Sequence, residues 1–237
     1  MRSMKILLAS GVALAAVVAV KFAPAKSIAA TPAESVSWEV MTPAPALQTK
    51  PATTSAAALK LVVAPSGNEV RYRIREQLVK LPLPNDAIGK TAAVSGGITL
   101  DKDGKIVPAE SKFVVDVSTL TSDREMRDNY VRRRILETDQ YSTVEFTPTA
   151  IIGLPKTLPT SGTHTFDVAG NLTVHGVTKP VTWKVTAKAA GSSVTGSAST
   201  AFNFADFNLS QPRVPVLISV QDTIKLEYDF SLVTGSR

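Results

Sequence analysis

Near the end of the chain Ile224, Leu226, Tyr228, Phe230 and Leu232 alternate without a break with Lys225, Glu227, Asp229 and Ser231. A period of two is the signature of a β-strand with one dry and one wet face, and a helix cannot satisfy it. The same texture reaches back to Leu59 in short runs parted by turn residues. Residues 59–64 are followed by Pro65-Ser-Gly-Asn68, and then Val70, Tyr72 and Ile74 alternate with Arg71, Arg73 and Arg75. Arginines spaced by two lie on one side of a strand, so this triplet reads as a solvated face and not as a binding patch.

The most informative run is 171–183. Leu172 and Val174 precede a His175-Gly176 turn, Val181, Trp183 and Val185 follow it, and Thr173, Thr182 and Lys184 hold the other phase. This predicts a β-hairpin, with Pro180 at the start of the second strand, where a missing N–H costs little. Further strands are expected at 93–100, through Phe113, Val115 and Val117 after an Asp101-Lys-Asp-Gly104 turn, at 141–152, through Phe166 and Val168, at 182–190 and at 194–204. Residues 77–91, with Leu81-Pro-Leu-Pro-Asn-Asp86, read as a long connection. One segment breaks the pattern. Ser122-Asp-Arg-Glu125 has the spacing of a capping box, and a helix is expected from there to about Ile135, with Met126 and Tyr130 on one face and interleaved charges on the other. The basic residues Arg132, Arg133 and Arg134 in its last turn complement the helix dipole. Eight or nine strands and one helix without a repeat point to one all-β domain, an antiparallel sheet closed on itself.

Ahead of this domain, residues 1–30 carry Arg2 and Lys5, an uncharged run of fifteen residues from Ile6 to Val20, and small residues at Ala23-Pro-Ala25 and Ala29-Ala30. The run is shorter than the roughly 20 residues that span a bilayer, so a secretory signal is favoured over a short anchor. The domain is therefore expected in the periplasm or outside the cell, near a membrane if the segment is retained. Residues 31–58, rich in Ala, Thr, Ser and Pro, read as a disordered linker. Four of the six net positive charges sit on Arg2, Lys5, Lys21 and Lys26, and the two left over argue against nucleic acid as a partner. The chain has no cysteine and only His164 and His175, which excludes a thiolate zinc site and disfavours any all-histidine metal site.

Several motifs together resemble a known family. Asp116-Val-Ser-Thr-Leu-Thr-Ser-Asp123, Arg127-Asp128 in the helix, Leu136-Glu-Thr-Asp-Gln-Tyr141, Val144-Glu-Phe146 and Gly170-Asn-Leu-Thr-Val-His-Gly-Val-Thr-Lys-Pro-Val181 are similar to those of the YceI family of exported, lipocalin-like proteins. Ala205-Asp-Phe207 stands at the family's Asp-Phe-Gly element, with Asn208 in place of its glycine; Ser142 and Tyr130 replace a usual proline and a frequent histidine. The resemblance spans about 59–233. It implies an eight-stranded antiparallel barrel with a helix at its opening, holding a polyisoprenoid or quinone-type lipid. A second copy of the chain is kept as a candidate partner apart from the resemblance.

The inward phase then supplies the candidate ligand contacts. On the strands these are Tyr72, Phe113, Val115, Phe146, Phe166, Val174, Trp183, Phe202, Phe204, Leu226 and Tyr228, with Met126 and Tyr130 over the mouth. Each could equally be ordinary core, and about half are expected to touch a ligand. A membrane-spanning barrel would need aromatic girdles, for which 6% aromatics is too few. Without a nucleophile elbow, zinc spacing or phosphate loop the chain reads as a binding protein, with no catalytic residues, metal or cofactor, and His175 as a turn residue. The competing reading is a barrel filled by its own side chains that serves as an interaction or stress-related module tethered to the membrane.

Overall fold

The computed structural model describes residues 57–155 and 159–235. The expectations for residues 1–30 and for most of 31–58 lie outside these; the first strand begins at Ala57.

Among the described residues eleven strands form one sheet in which every pairing is antiparallel. They are β1 (Ala57–Val63), β2 (Glu69–Leu78), β3 (Asn85–Thr91), β4 (Val94–Asp101), β5 (Lys112–Asp116), β6 (Thr143–Ile152), β7 (Ser161–Val174), β8 (Val177–Ala190), β9 (Ser193–Asn203), β10 (Leu217–Val220) and β11 (Thr223–Thr234). Eight of them close a ring in the order β1, β4, β5, β6, β7, β8, β9, β11 and back to β1. The expected eight-stranded barrel is therefore present. The three extra strands form a leaf at one end: β2 pairs with β3, β10 and the first half of β11.

The last strand carries this arrangement because it is long enough for two partners. Lys225 to Asp229 pair with β2, and Leu232 to Thr234 pair with β1. Strands β1 and β2 thus lie end to end along β11, with residues 64–68 looped out between them. Asn68 holds that loop: its amide donates to Ala64 O at 2.9 Å, and its oxygen accepts from Tyr228 Oη at 2.8 Å and Ser231 N at 3.0 Å.

The predicted hairpin forms, with Val174 facing Val177 across a two-residue loop. His175 and Gly176 both take positive φ, 49° and 73°, as a tight turn matched to strand twist requires. Strand β8 starts at Val177, ahead of Pro180, so the proline lies inside the paired region, opposite Asn171. It is tolerated there because β9 joins the other edge of β8 only from Lys184.

Two expectations are corrected. Residues 77–91 are not a long connection, because 85–91 form β3. Its inward positions, Ala87, Gly89 and Thr91, are small, so the run lacks an apolar phase and does not advertise itself as a strand. Residues 122–125 form no capping box. The helix α1 (Glu125–Tyr130) starts after Arg124, which makes no side-chain cap, and Ser122 Oγ instead donates to Asp128 Oδ1 at 2.5 Å. The helix ends in one wide π turn, Val131–Ile135, closed by Leu136 N to Val131 O at 2.9 Å. A capping box does form at Asn203 and Asp206, around the short turn Phe204–Phe207, and Asn208 ends it at φ 55°, a left-handed angle that asparagine tolerates.

Outside the barrel the arginine triplet sits on the wet face as expected, and is cross-linked there. Arg71 meets Asp229 at 2.6 Å, Glu69 at 2.8 Å and Glu227 at 3.4 Å, while Arg73 joins Glu227 at 3.2 Å and Asp86 at 3.0 Å.

Candidate functional site

The apolar phases of the ring turn inward and enclose two chambers. The lower one, about 230 Å³, lies within the closed ring. Its wall is aliphatic with aromatic rings set in it: Phe146 and Trp183 approach with ring centres 5.8 Å apart, and Phe113 and Tyr228 at 6.3 Å. The Tyr228 phenol is kept neutral, since burial pushes its pKa up, and its hydroxyl is spent on Asn68. This chamber offers dispersion contacts and little polarity.

The upper chamber is larger, about 1000 Å³, and lies under α1 and the leaf. The two share Val70, Val115, Val144 and Leu226, which form the waist between them. Tyr72 lines the upper chamber with its ring laid across Gly89, its register partner. Burial raises this phenol to about 12.

One charged cluster faces this space. Arg127 Nη2 donates to Glu76 Oε1 at 2.7 Å, and Arg127 also binds Asp123 on its own helix. Burial works against the guanidinium charge, but Asp123 and Glu76 outweigh it and raise its pKa, so the ion pair is fixed. Asn85 Nδ2 adds a bond to Glu76 at 3.2 Å.

The thirteen sequence candidates fall around these spaces. Phe113, Phe146, Phe166, Trp183 and Tyr228 line the lower chamber, Val115 and Leu226 the waist, and Tyr72, Met126, Tyr130, Val174, Phe202 and Phe204 the upper chamber. Val174, Phe202 and Phe204 also belong to the packed core beneath it. Glu76 and Arg127 were not among the candidates. The signal for Glu76 was available, since it shares the inward phase of Val70, Tyr72, Ile74 and Leu78, where a carboxylate requires a buried partner. Val214, Val216 and Leu217, which also line the upper chamber, come from a segment too short and proline-broken to show a period.

His175 does not bond its own backbone. Its Nε2 lies 3.0 Å from Glu137 Oε2, and its ring packs on Tyr141 at 4.5 Å. It thereby clamps the hairpin tip to the loop after the helix. Among the described residues no group of three or more His, Asp or Glu side chains is placed to hold a metal ion.

The model of the YceI-like domain family matches residues 62–232. The chain belongs to the YceI-like family. The chain is 35% identical over 114 residues to a UPF0312 protein of Pseudomonas fluorescens, covering 44% of this chain and 56% of that protein. A UPF0312 protein of Vibrio vulnificus is 30% identical over 128 residues, covering 51% and 64%. The matched stretch thus spans little more than half the length of these relatives. Among solved structures, a polyisoprenoid-binding domain from Saccharophagus degradans superposes with a TM-score of 0.57 at 14% identity, covering 75% of this chain and 99% of that one. Burkholderia cenocepacia BcnA does so with 0.52 at 19%, covering 73% and 99%. Both share the YceI-like barrel fold.

Proposed function

We propose that this chain is an exported, non-enzymatic protein that binds a polyisoprenoid or quinone-type lipid, with the chain of the lipid running from the upper chamber through the waist into the lower one. The observation that carries this reading is the pair of adjoining apolar chambers. Ligand pockets of small molecules span about 300–1,000 Å³, so the upper chamber alone suffices for a ligand, whereas the lower one takes only the extension of a molecule already seated above. A long, slender, apolar molecule fits that shape. Each isoprene unit withdrawn from water contributes about 3–4 kcal/mol, so a few units suffice for tight binding. The Arg127–Glu76 pair and the neutral Tyr72 phenol stand where a polar head group would rest. An interior of this volume weighs against a barrel filled by its own side chains. The fold shared with a polyisoprenoid-binding domain supports the same ligand class, and the character of residues 1–30 supports export.

The test is to purify the full chain from an expressing cell, extract it with organic solvent and look for an isoprenoid lipid by mass spectrometry. In parallel, quinone is titrated into a Trp38→Phe variant, in which Trp183 in the lower chamber becomes the sole tryptophan. Recovered isoprenoid and quenching of Trp183 are expected. An empty extract together with unchanged fluorescence would sink the proposal.

A further inference from the structure

Three segments frame the mouth of the upper chamber, and each exposes apolar side chains beside a cation. At the tip between β2 and β3, Val79 is 60% and Leu83 72% exposed, next to Lys80. On α1, Met126 is 83% exposed, next to Arg124. In the segment entering β10, Val216 is 56% and Ile218 62% exposed, close to Arg213. The first and third segments are tied by Val79 N to Val216 O at 3.1 Å. Among the described residues six large apolar side chains are more than half exposed, and five of them lie on these three segments. Singly exposed apolar residues are unremarkable on a surface, but this concentration around one opening is not.

The charges complete the pattern. Lys80 and Arg213 make no ion pair among the described residues, nor do Arg133 and Arg134 at the end of the helix. Arg124 touches Asp123 only at 3.6 Å, and that carboxylate is already bound by Arg127. Of the carboxylates that line the chamber Glu76 is held by Arg127 and Glu125 is the other, and the cations outnumber the carboxylates over 123–134 and the two tips.

We infer that this rim docks on the surface of an anionic lipid bilayer. Apolar tips immersed at the head-group level with cations beside them are what such a surface selects. The inference rests on the chamber being a lipid site: a cargo that is insoluble in water passes between hydrocarbon and chamber without crossing water only if the mouth itself faces the bilayer.

The chain has no cysteine, so single labels can be placed at will. A polarity-sensitive fluorophore goes on Leu83→Cys at the rim, and on Asp103→Cys in the turn after β4, at the opposite end of the barrel. Each full-length protein is mixed with vesicles of phosphatidylcholine alone or of phosphatidylcholine with phosphatidylglycerol. The expected result is a blue shift and intensity gain at position 83 only, far stronger with phosphatidylglycerol, and weakened more than about fivefold by Arg213→Glu, since the lost cation alone contributes about that factor near such a surface and the new carboxylate is repelled. A silent label at 83, equal responses at 83 and 103, or indifference to phosphatidylglycerol overturns the inference. Quinone quenching of Trp183 in vesicle-free solution, for which Arg213→Glu should match the parent, separates the two readings. Docking without quenching removes the ligand and keeps the surface; quenching without docking does the reverse.

Discussion

Glu76 on β2 and Arg127 on α1 face each other at 2.7 Å with side chains only 9% and 12% exposed, so the helix is tied to the leaf by a nearly dry ion pair. Removing one partner strands the other charge. Arg127→Met is expected to cost about 3–5 kcal/mol, and Glu76→Leu with Arg127→Met much less, because the pair is then replaced by packing. Denaturant titration of the two variants reads the difference; equal losses would contradict it.

Tyr72 and Gly89 make a second fixed contact. A Cβ on Gly89 would come within 2.2 Å of Tyr72 Cε1, so Gly89→Ala must displace a ring that lines the upper chamber. A loss of about 1–3 kcal/mol is expected, largely relieved in a Tyr72→Leu background. A thermodynamic cycle over the four proteins measures the coupling, and additive losses would show that the ring does not depend on the glycine.

At the hairpin tip, Gly176 has φ 73° and a Cβ there would meet Tyr141 Cε1 at 2.9 Å. Gly176→Ala should therefore lose about 2 kcal/mol, from strain and the displaced ring. His175→Asn keeps the left-handed angle but gives up the tyrosine contact, and should lose less. Thermal melts rank the pair.

Glu227 lies between Arg73, Arg71 and Lys225 on the outer face. Burial raises its pKa, but the hydrogen bonds to Lys225 and Arg73 prevail and bring it from 4.5 down to about 2. A carboxylate with a lowered folded pKa contributes stability that is present above pH 4.5 and fades as pH falls towards 2. Glu227→Gln should thus be less stable by about 1–2 kcal/mol at neutral pH, allowing for solvent screening, with the gap closing across that window. Urea titrations at several pH values test this; a gap independent of pH would count against it.

Leu226 lines both chambers at the waist between them. Leu226→Phe narrows it. Long-chain quinone should then lose roughly tenfold or more in affinity while a short-chain analogue, seated above, is little changed; a loss of about one and a half kcal/mol corresponds to that factor. Parallel calorimetric titrations decide it, and equal effects on both chain lengths would show that the waist is not on the path.

Parity made most of this barrel readable. Leu172, Val174, Trp183, Leu226 and Tyr228 occupy the inward phase that their spacing requires, and the His175-Gly176 turn follows from the positive φ that its two residues accept. Strand β3 was hidden because its inward side chains are small, and at Gly89 the missing side chain makes room for Tyr72, a fact of packing between strands and not of local pattern. The capping box failed because the helix starts only after Arg124, and the Ser122 oxygen accepts instead from Arg124 N and the Arg127 guanidinium while its hydroxyl donates to Asp128. What alternation could not convey is volume: it places a side chain on the inner face but does not say how far the opposite wall stands.

Strands β1 and β2 share β11 end to end, with Asn68 fastening the loop between them. The girth of this barrel is consequently set twice. Below, it is fixed by the ring through β1 and β4; above, by the leaf of β2, β3 and β10. Residues 64–68 make a seam between the two, so changes confined to β3 and β10 bear on the breadth of the opening while the rungs that join β1 to β4 and β11 lie beyond their reach.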